Sequence, residues 1–205
     1  MSADTRTAMT LTLAQPEAAP RDGRHWYGPL AAADRDLLAR VRAPVLDIGC
    51  GPGRHVLSLA EQGKIALGID LTFSMVAFAR RRGAPVLHRS VFARVPGAGR
   101  WNTALLLDGN IGIGGDPVGL LRRVAALLTP EGRVLVELDC SENPAAPTTA
   151  RLEVDGVAGP WFPWTHLSVD DLEVAARASG MAVDELWRAG GRWFAELRRT
   201  LEQTR

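Results

Sequence analysis

The chain reads as an α/β protein in which a doubly wound, mostly parallel sheet, mixed at one edge, is flanked by helices. Three observations predict it. Short apolar strands alternate with amphipathic helices through the middle of the chain, the pattern of βαβ units and so of a parallel sheet. Near the C-terminus two strand-like stretches meet at Gly190-Gly191, and a tight hairpin joins only antiparallel strands. The apolar fraction of 46% is ordinary for a chain that buries a proper core.

Taken in order, residues 1 to about 23 are polar and small, with Pro16 and Pro20, and are expected as a flexible arm before a single domain over 24–205. Gly28-Pro29 places proline at a helix start, Leu30, Ala33, Leu37, Leu38 and Val41 follow at helical spacing, and Pro44 stops the helix. Val45 to Gly49 is a buried strand running into a glycine-rich turn, and Arg54 to about Gln62 is a helix closed by Gly63. Ile65 to Ile69 is a second strand ending on Asp70; Thr72 can cap the next helix, which Gly83 ends. Pro85 to His88 makes a short third strand, and Ala104 to Leu107 a fourth, ending on Asp108.

An amphipathic helix begins near Asp116-Pro117 and carries Leu120, Leu121, Val124, Leu127 and Leu128. Thr129 to Gly132 is a tight turn, and Arg133 to Leu138 a fifth strand. Pro144 and Pro147 mark a loop, and 151–165 can form a hairpin turning at Asp155-Gly156. Ser168 with Asp171 resembles a capping box for a helix through Leu172, Ala175 and Ala176. Ala182 to Arg188 and Arg192 to Leu197 are the closing strands.

Composition removes several function classes. The net charge is +1, from 24 basic and 23 acidic residues, and this neutrality lacks the long-range pull nucleic-acid binding relies on. The run Arg80-Arg81-Arg82 at a helix end complements the helix dipole. Cys50 and Cys140 form no CxxC pair, and His25, His55, His88 and His166 show no ligand spacing, so no disulfide framework or metal site is expected. No apolar run nears the roughly 18 residues that cross a bilayer. A cytoplasmic protein without nucleic-acid or membrane partners is expected; the oligomeric state is not legible.

Asp47-Ile48-Gly49-Cys50-Gly51-Pro52-Gly53 lies between a strand and a helix. Glycines there let backbone approach a ligand, and a helix start presents free N–H groups. A dinucleotide fingerprint would read GxGxxG with an acid about 20 residues on; here the spacing is GxGxG with an acid before it. The run Val45 to Gly53 resembles motif I of class I, Rossmann-like S-adenosylmethionine-dependent methyltransferases, without mismatch. Asp70 stands where that family holds the acid for both ribose hydroxyls, and Leu127 to Leu135 resembles its later helix-turn-strand signature. The match covers about residues 30 to 140, and the closing helix and hairpin are similar to the part of the family that carries strands six and seven.

The resemblance implies strand order 3-2-1-4-5-7-6 with the seventh antiparallel, S-adenosyl-L-methionine as cofactor, and a site at the strands' carboxyl ends. It points to Asp47, Gly49, Cys50, Gly51 and Gly53 in motif I, to Asp70 and Leu71 after strand two, to Ser90 and Val91 after strand three, and to Asp108 and Gly109 after strand four. An aspartate before the glycines suits the cofactor's ammonium group better than a pyrophosphate. The family's usual acid after strand three is replaced here by His88-Arg89-Ser90-Val91, and the usual Phe-Asp before strand four by Trp101-Asn102. Each residue has a plainer rival reading: Gly51 and Gly53 as turn formers, Asp70 as a helix-cap neighbour, Cys50 as a small filler.

Transfer from a sulfonium is an in-line displacement that mainly needs alignment and exclusion of water. No catalytic residue is evident, because a base is needed only for a protonated acceptor. His25, beside Trp26 and Tyr27, lies where a lid could close, and His55 opens the helix after motif I; each also reads as a surface or packing histidine. The proline-rich Gly159 to Trp164 run is a poor central strand and reads as a lid over a small apolar acceptor or as a cap on a sheet edge. Asp108-Gly109-Asn110-Ile111 argues against methylation of exocyclic base nitrogens, and a metal-assisted mechanism would draw on Asp108, Asp139 and Asn143. The acceptor is expected to be a small molecule. A pyridine-nucleotide oxidoreductase and a catalytically inactive S-adenosylmethionine-binding module are the alternatives.

Overall fold

The computed structural model describes residues 9–14, 21–138 and 147–200. Strands β1 (Met9–Leu13) and β2 (Arg21–Asp22) precede a 3-10 turn (Gly23–Tyr27) and helix α1 (Ala32–Ala39). There follow β3 (Val45–Ile48), α2 (Arg54–Glu61), β4 (Ala66–Asp70), α3 (Phe73–Arg81) and β5 (Val86–His88). Next come β6 (Trp101–Leu106), a 3-10 segment (Asn110–Gly115), α4 (Pro117–Leu127) and β7 (Leu128–Leu138). The last third holds β8 (Pro147–Val154), β9 (Val157–Ala158), β10 (Phe162–Thr165), α5 (Val169–Ala178), β11 (Met181–Ala189) and β12 (Arg192–Arg199).

Seven strands form the main sheet in the order β11-β12-β7-β6-β3-β4-β5. Counted along the chain within this sheet, that is 3-2-1-4-5-7-6. β12 pairs antiparallel with β7 and with β11, while β3 to β7 pair in parallel. Helices cover both faces, so β3 is buried at every residue rather than at alternate ones. The pleat divides its neighbours between two cores. Leu46, Ile48, Leu106, Val134 and Val136 pack with Leu120, Leu121 and Val124 of α4 and Leu172 of α5. Val45, Leu105, Leu135 and Phe194 pack on the other face with Leu37 and Leu38 of α1. Each such side chain contributes about 1.5–3 kcal/mol on burial, which is what holds the carboxyl ends of β3, β4 and β6 side by side.

Local signals mostly hold. Asp116 caps α4 by accepting from the Gly119 N–H at 2.9 Å, and Ser168 accepts from the Asp171 N–H at 3.2 Å at the start of α5. Thr72 precedes α3 but makes no side-chain cap bond; the Asp70 carboxylate instead takes the Thr72 N–H at 2.6 Å. α1 starts at Ala32 rather than at Pro29, because the buried Asp34 side chain accepts from the Ala31 N–H at 2.9 Å and sets the first turn there. The Thr129–Gly132 turn is looped out within β7: pairing jumps from Leu128 opposite Trp101 to Arg133 opposite Thr103.

The described part of the expected flexible arm is strand. Met9–Leu13 pairs along its length with β8, Leu11 opposite Leu152, and β10 lies on the other side of β8. β10-β8-β1-β2 is a second, antiparallel sheet, with β9 folded back on β8 through the Asp155-Gly156 turn. The polar composition of residues 1–23 hid the alternation in Met9, Leu11 and Leu13, whose side chains are buried while Thr10 and Thr12 are not. Pro163 sits on an edge strand of this sheet, where a missing N–H is tolerated. Cys140, Asp139, Asn143, Pro16, Pro20 and Pro144 lie outside the described residues. No described helix is long and apolar enough to cross a membrane.

Candidate functional site

β3 ends at Ile48, and the chain turns through Gly49, Gly51 and Gly53, all at positive φ (72°, 52° and 78°), before α2. The Gly49 and Cys50 N–H groups both donate to the Ile69 carbonyl, at 2.9 and 3.1 Å. The Gly51 N–H donates to Asp70 at 2.9 Å. The turn therefore wraps the end of β4. A Cβ on Gly53 would meet Ala79 and Ala84 at 3.1 and 3.2 Å, so that glycine serves the packing of α2 on α3. Cys50 is buried beside Val56, Val76 and Ala79, and burial first, then Asp47 and Asp70, pushes its thiol well above the usual range. It fills space and is not a nucleophile.

A cavity of about 740 Å³ opens at the carboxyl ends of these strands, within the roughly 300–1,000 Å³ of small-molecule sites. Of the residues singled out, Asp47, Gly49, Cys50, Gly51, Asp70, Leu71, Ser90, Val91 and Asp108 line it; Gly53 and Gly109 do not. Gly109 instead permits the left-handed turn (φ 82°) from which the 3-10 segment starts. Ser90 accepts from the Phe92 N–H at 3.2 Å, keeping its own hydroxyl proton to donate. Asp108 has a positive φ of 56° without being glycine, a strained backbone typical of ligand sites.

Three carboxylates face this cavity, and their surroundings differ. Asp70 is raised from its usual value because burial outweighs the Gly51 and Thr72 amides that favour its charge. Asp108 is partly buried, which raises it, yet His25, Arg54, His55 and Arg192 bring it down to about 2. The Arg54 guanidinium lies 3.1 Å from Asp108 and 2.9 Å from the buried Asp34. Arg192, at the start of β12, reaches Asp34 at 2.6 Å and Glu137 at 2.7 Å. Asp47 is almost fully buried with one oxygen lacking any hydrogen-bond partner, 3.7 Å from the His55 ring.

His55 itself is fully buried, which lowers its pKa, but Asp34 and Asp47 more than compensate and raise it to about 9. This connected set of ions fixes the motif I acid and Asp108 against α1, α2 and β12. Sequence spacing carried no sign of it, since residues 34, 54, 137 and 192 come from four separate elements.

Two further features escaped sequence reasoning. Asn110 lines the cavity and donates its amide to the Ile48 and Gly49 carbonyls, 3.0 Å each, and so braces the motif I turn. The second sheet roofs the cavity: Leu11, Leu152, Val154, Phe162 and Trp164 line it together with Trp26. Tyr27 meets Phe78 of α3 edge-on, centroids 5.0 Å apart. Among the described residues no group of three or more histidine, cysteine or acidic side chains could hold a metal ion.

Comparison with known proteins agrees with this architecture. Residues 45–132 match a family described as a methyltransferase domain. A curated relative, the dTDP-3-amino-3,6-dideoxy-alpha-D-glucopyranose N,N-dimethyltransferase of Streptomyces fradiae, is 33% identical over 114 residues. That alignment spans 52% of this chain and 45% of the relative, so the chain matches less than half of that protein's length. A Bacteroides fragilis S-adenosylmethionine-dependent methyltransferase solved with S-adenosyl-L-homocysteine superposes with a TM-score of 0.80 at 22% identity, over 95% of this chain and 88% of its own. The Burkholderia thailandensis 1,6-didemethyltoxoflavin-N1-methyltransferase does so with a TM-score of 0.57 at 23% identity, over 82% and 79%. Residues 45–132 thus match a methyltransferase-domain family, and the chain has the fold of the solved S-adenosylmethionine-dependent methyltransferase.

Proposed function

We propose that the chain binds S-adenosyl-L-methionine and transfers its methyl group to a small-molecule acceptor. One observation carries this reading: the glycine turn, Asp47 and Asp70 share one wall of a single cavity whose opposite wall is apolar. The donor chemistry fits the cofactor. Asp47 supplies a carboxylate in the cavity lining, held 3.7 Å from the His55 ring, to attract an ammonium group. Asp70 already accepts two amide hydrogens but keeps lone pairs for a pair of ribose hydroxyls. Ser90 and Val91 line the same cavity and are the residues we assign to the base.

The cofactor supplies a methyl group on a cationic sulfonium, whose sulfur retains the bonding electron pair when the methyl leaves. The protein's part is then to align and dehydrate. The ion-paired Asp108 and the braced motif I turn hold one partner rigidly, and the roof sheet excludes water from the other. Asp108 is tied to Arg54 and held acidic, so it is a poor base; the reading needs none.

The relative from Streptomyces fradiae is named for a sugar substrate and the Burkholderia enzyme for a toxoflavin precursor, which supports a small acceptor over a nucleic acid. Isothermal titration tests the cofactor: micromolar binding of S-adenosylhomocysteine with no binding of NADH is expected, and the reverse would make the chain a pyridine-nucleotide enzyme. Incorporation of label from methyl-labelled donor in an acceptor screen separates an active enzyme from a binding module.

A further inference from the structure

We infer that the acceptor subsite takes a neutral, planar aromatic or heteroaromatic molecule, held between the ring-bearing face of the second sheet and the mouth of the cofactor cavity. This rests on the proposed function for the role of the ligand, though not for its chemistry. The two walls of the cavity differ sharply. Its charged lining groups, Asp47, Arg54, His55, Asp70, Arg89 and Asp108, come from the main sheet and its loops. The opposite wall presents Leu11, Leu152, Val154, Phe162 and Trp164, with Trp26 from the 3-10 turn, and none of these carries a charge.

The pleat produces this. In β1 and β8 the residues opposite one another, Leu11 and Leu152, point to the cavity, while Thr10 and Glu153 at the next pair belong to the other face. Arg151 also belongs to the other face, its guanidinium 4.9 Å from the Trp161 ring. Phe162 and Trp164 meet edge-on with centroids 5.9 Å apart, the nearly buried Trp164 backing the more open Phe162 ring, and an aromatic face favours a flat partner.

The rim continues the same chemistry. Phe92 and Val157, which line the cavity, are 52% and 73% exposed, the kind of open apolar surface that marks a docking site. A sugar hydroxyl or a carboxylate seated on this wall would lose its water partners and find no replacement, at about a tenfold loss of affinity for each group. A diphosphate would find Arg54 already engaged by Asp34 and Asp108 and three carboxylates in the same lining to repel it. A neutral ring nitrogen, by contrast, brings its own lone pair and needs neither a base nor a charged anchor.

The test is a fluorescence titration of the full chain, with and without saturating S-adenosylhomocysteine, using three probes: 1-naphthylamine, 1-naphthoate and N-acetylglucosamine. 1-Naphthylamine should bind at least tenfold tighter than the other two. Val157→Asp, at an exposed rim position that does not threaten folding, should weaken it about tenfold and leave S-adenosylhomocysteine affinity unchanged. Equal or tighter binding of the anion or the sugar would overturn the inference, as would indifference of naphthylamine to Val157→Asp. Failure of S-adenosylhomocysteine to bind would instead refute the proposed function, because the probe preference is read separately in its absence.

Discussion

Replacing Gly112 with alanine asks whether the second sheet is a fixed wall or a loosely laid cover. Gly112 lies in the 3-10 segment with helical backbone that alanine also adopts, so the substitution adds steric demand and little else. The new Cβ would stand 2.0 Å from the Thr165 carbonyl oxygen and 3.0 Å from the Trp164 ring. A carbon–oxygen contact needs about 3.3 Å, so β10 must retreat by roughly 1.3 Å. It cannot do so freely, because the Thr165 hydroxyl donates to the Gly115 carbonyl at 2.8 Å. Overpacking of this kind costs about 1–3 kcal/mol. For a chain of this size each kcal/mol lowers Tm by about 2–4 °C, so a fall of roughly 2–12 °C is expected by circular dichroism. Since β10 carries Phe162 and Trp164, naphthylamine affinity should fall about fivefold or more. The motif I turn and Asp70 are on the opposite wall, so S-adenosylhomocysteine affinity should stay within about twofold. An unchanged Tm, or equal losses for both ligands, would refute the reasoning.

Other outcomes follow from the same geometry. Asp70→Ala should weaken S-adenosylhomocysteine binding by about 1.5–3 kcal/mol, the range for hydrogen bonds to a charged group; unchanged affinity by calorimetry would move the ribose site elsewhere. His55 is raised to about 9, so its stabilisation is complete below its unfolded value of 6.5 and is lost as pH rises through that window. Urea unfolding should therefore show roughly 2–3 kcal/mol less stability at pH 9.5 than at pH 6 from this group, and His55→Gln should abolish that slope; identical slopes would exclude His55 as its source. Hydrogen exchange over residues 24–30 should slow when S-adenosylhomocysteine binds, since Trp26 forms part of the cavity wall; equal protection with and without ligand would remove the turn from any closing motion.

What the sequence made legible was what lies close together along it. Motif I could be read because glycines, the preceding acid and the flanking apolar runs fall within one strand-turn-helix unit. The β11–β12 hairpin could be read because Gly190-Gly191 leaves one geometry. The roof sheet could not, because it joins Met9–Leu13 to Pro147–Val154 across the whole intervening domain, and five alternating residues in a polar stretch look like chance. The ion cluster was hidden for the same reason. Asp34 reads as one charge on an amphipathic helix until Arg54 and Arg192 are brought to it from 20 and 158 residues away. Asn110 lines the cavity, but its second task could not be read from sequence position, because its amide turns back to brace the motif I backbone.

The two walls of the cavity therefore answer to different constraints. The main-sheet wall is locked by groups that each do two jobs: Asp70 binds the Gly51 amide and Asp108 is held by the buried Arg54, so changes there disturb folding and ligand together. The roof wall touches the main domain through a narrow seam, with Thr165 over Gly112 and Gly115 and Trp164 against Ile113. Its cavity-facing positions alternate along strands whose register is set by backbone pairing. Side chains such as Leu152 and Val157 can change character without altering that pairing. A fold arranged in this way can keep one methyl donor while exchanging its acceptor, provided the glycines of the seam are left alone. Gly112→Ala and Val157→Asp probe the two halves of that claim, the first moving the wall and the second recolouring it in place.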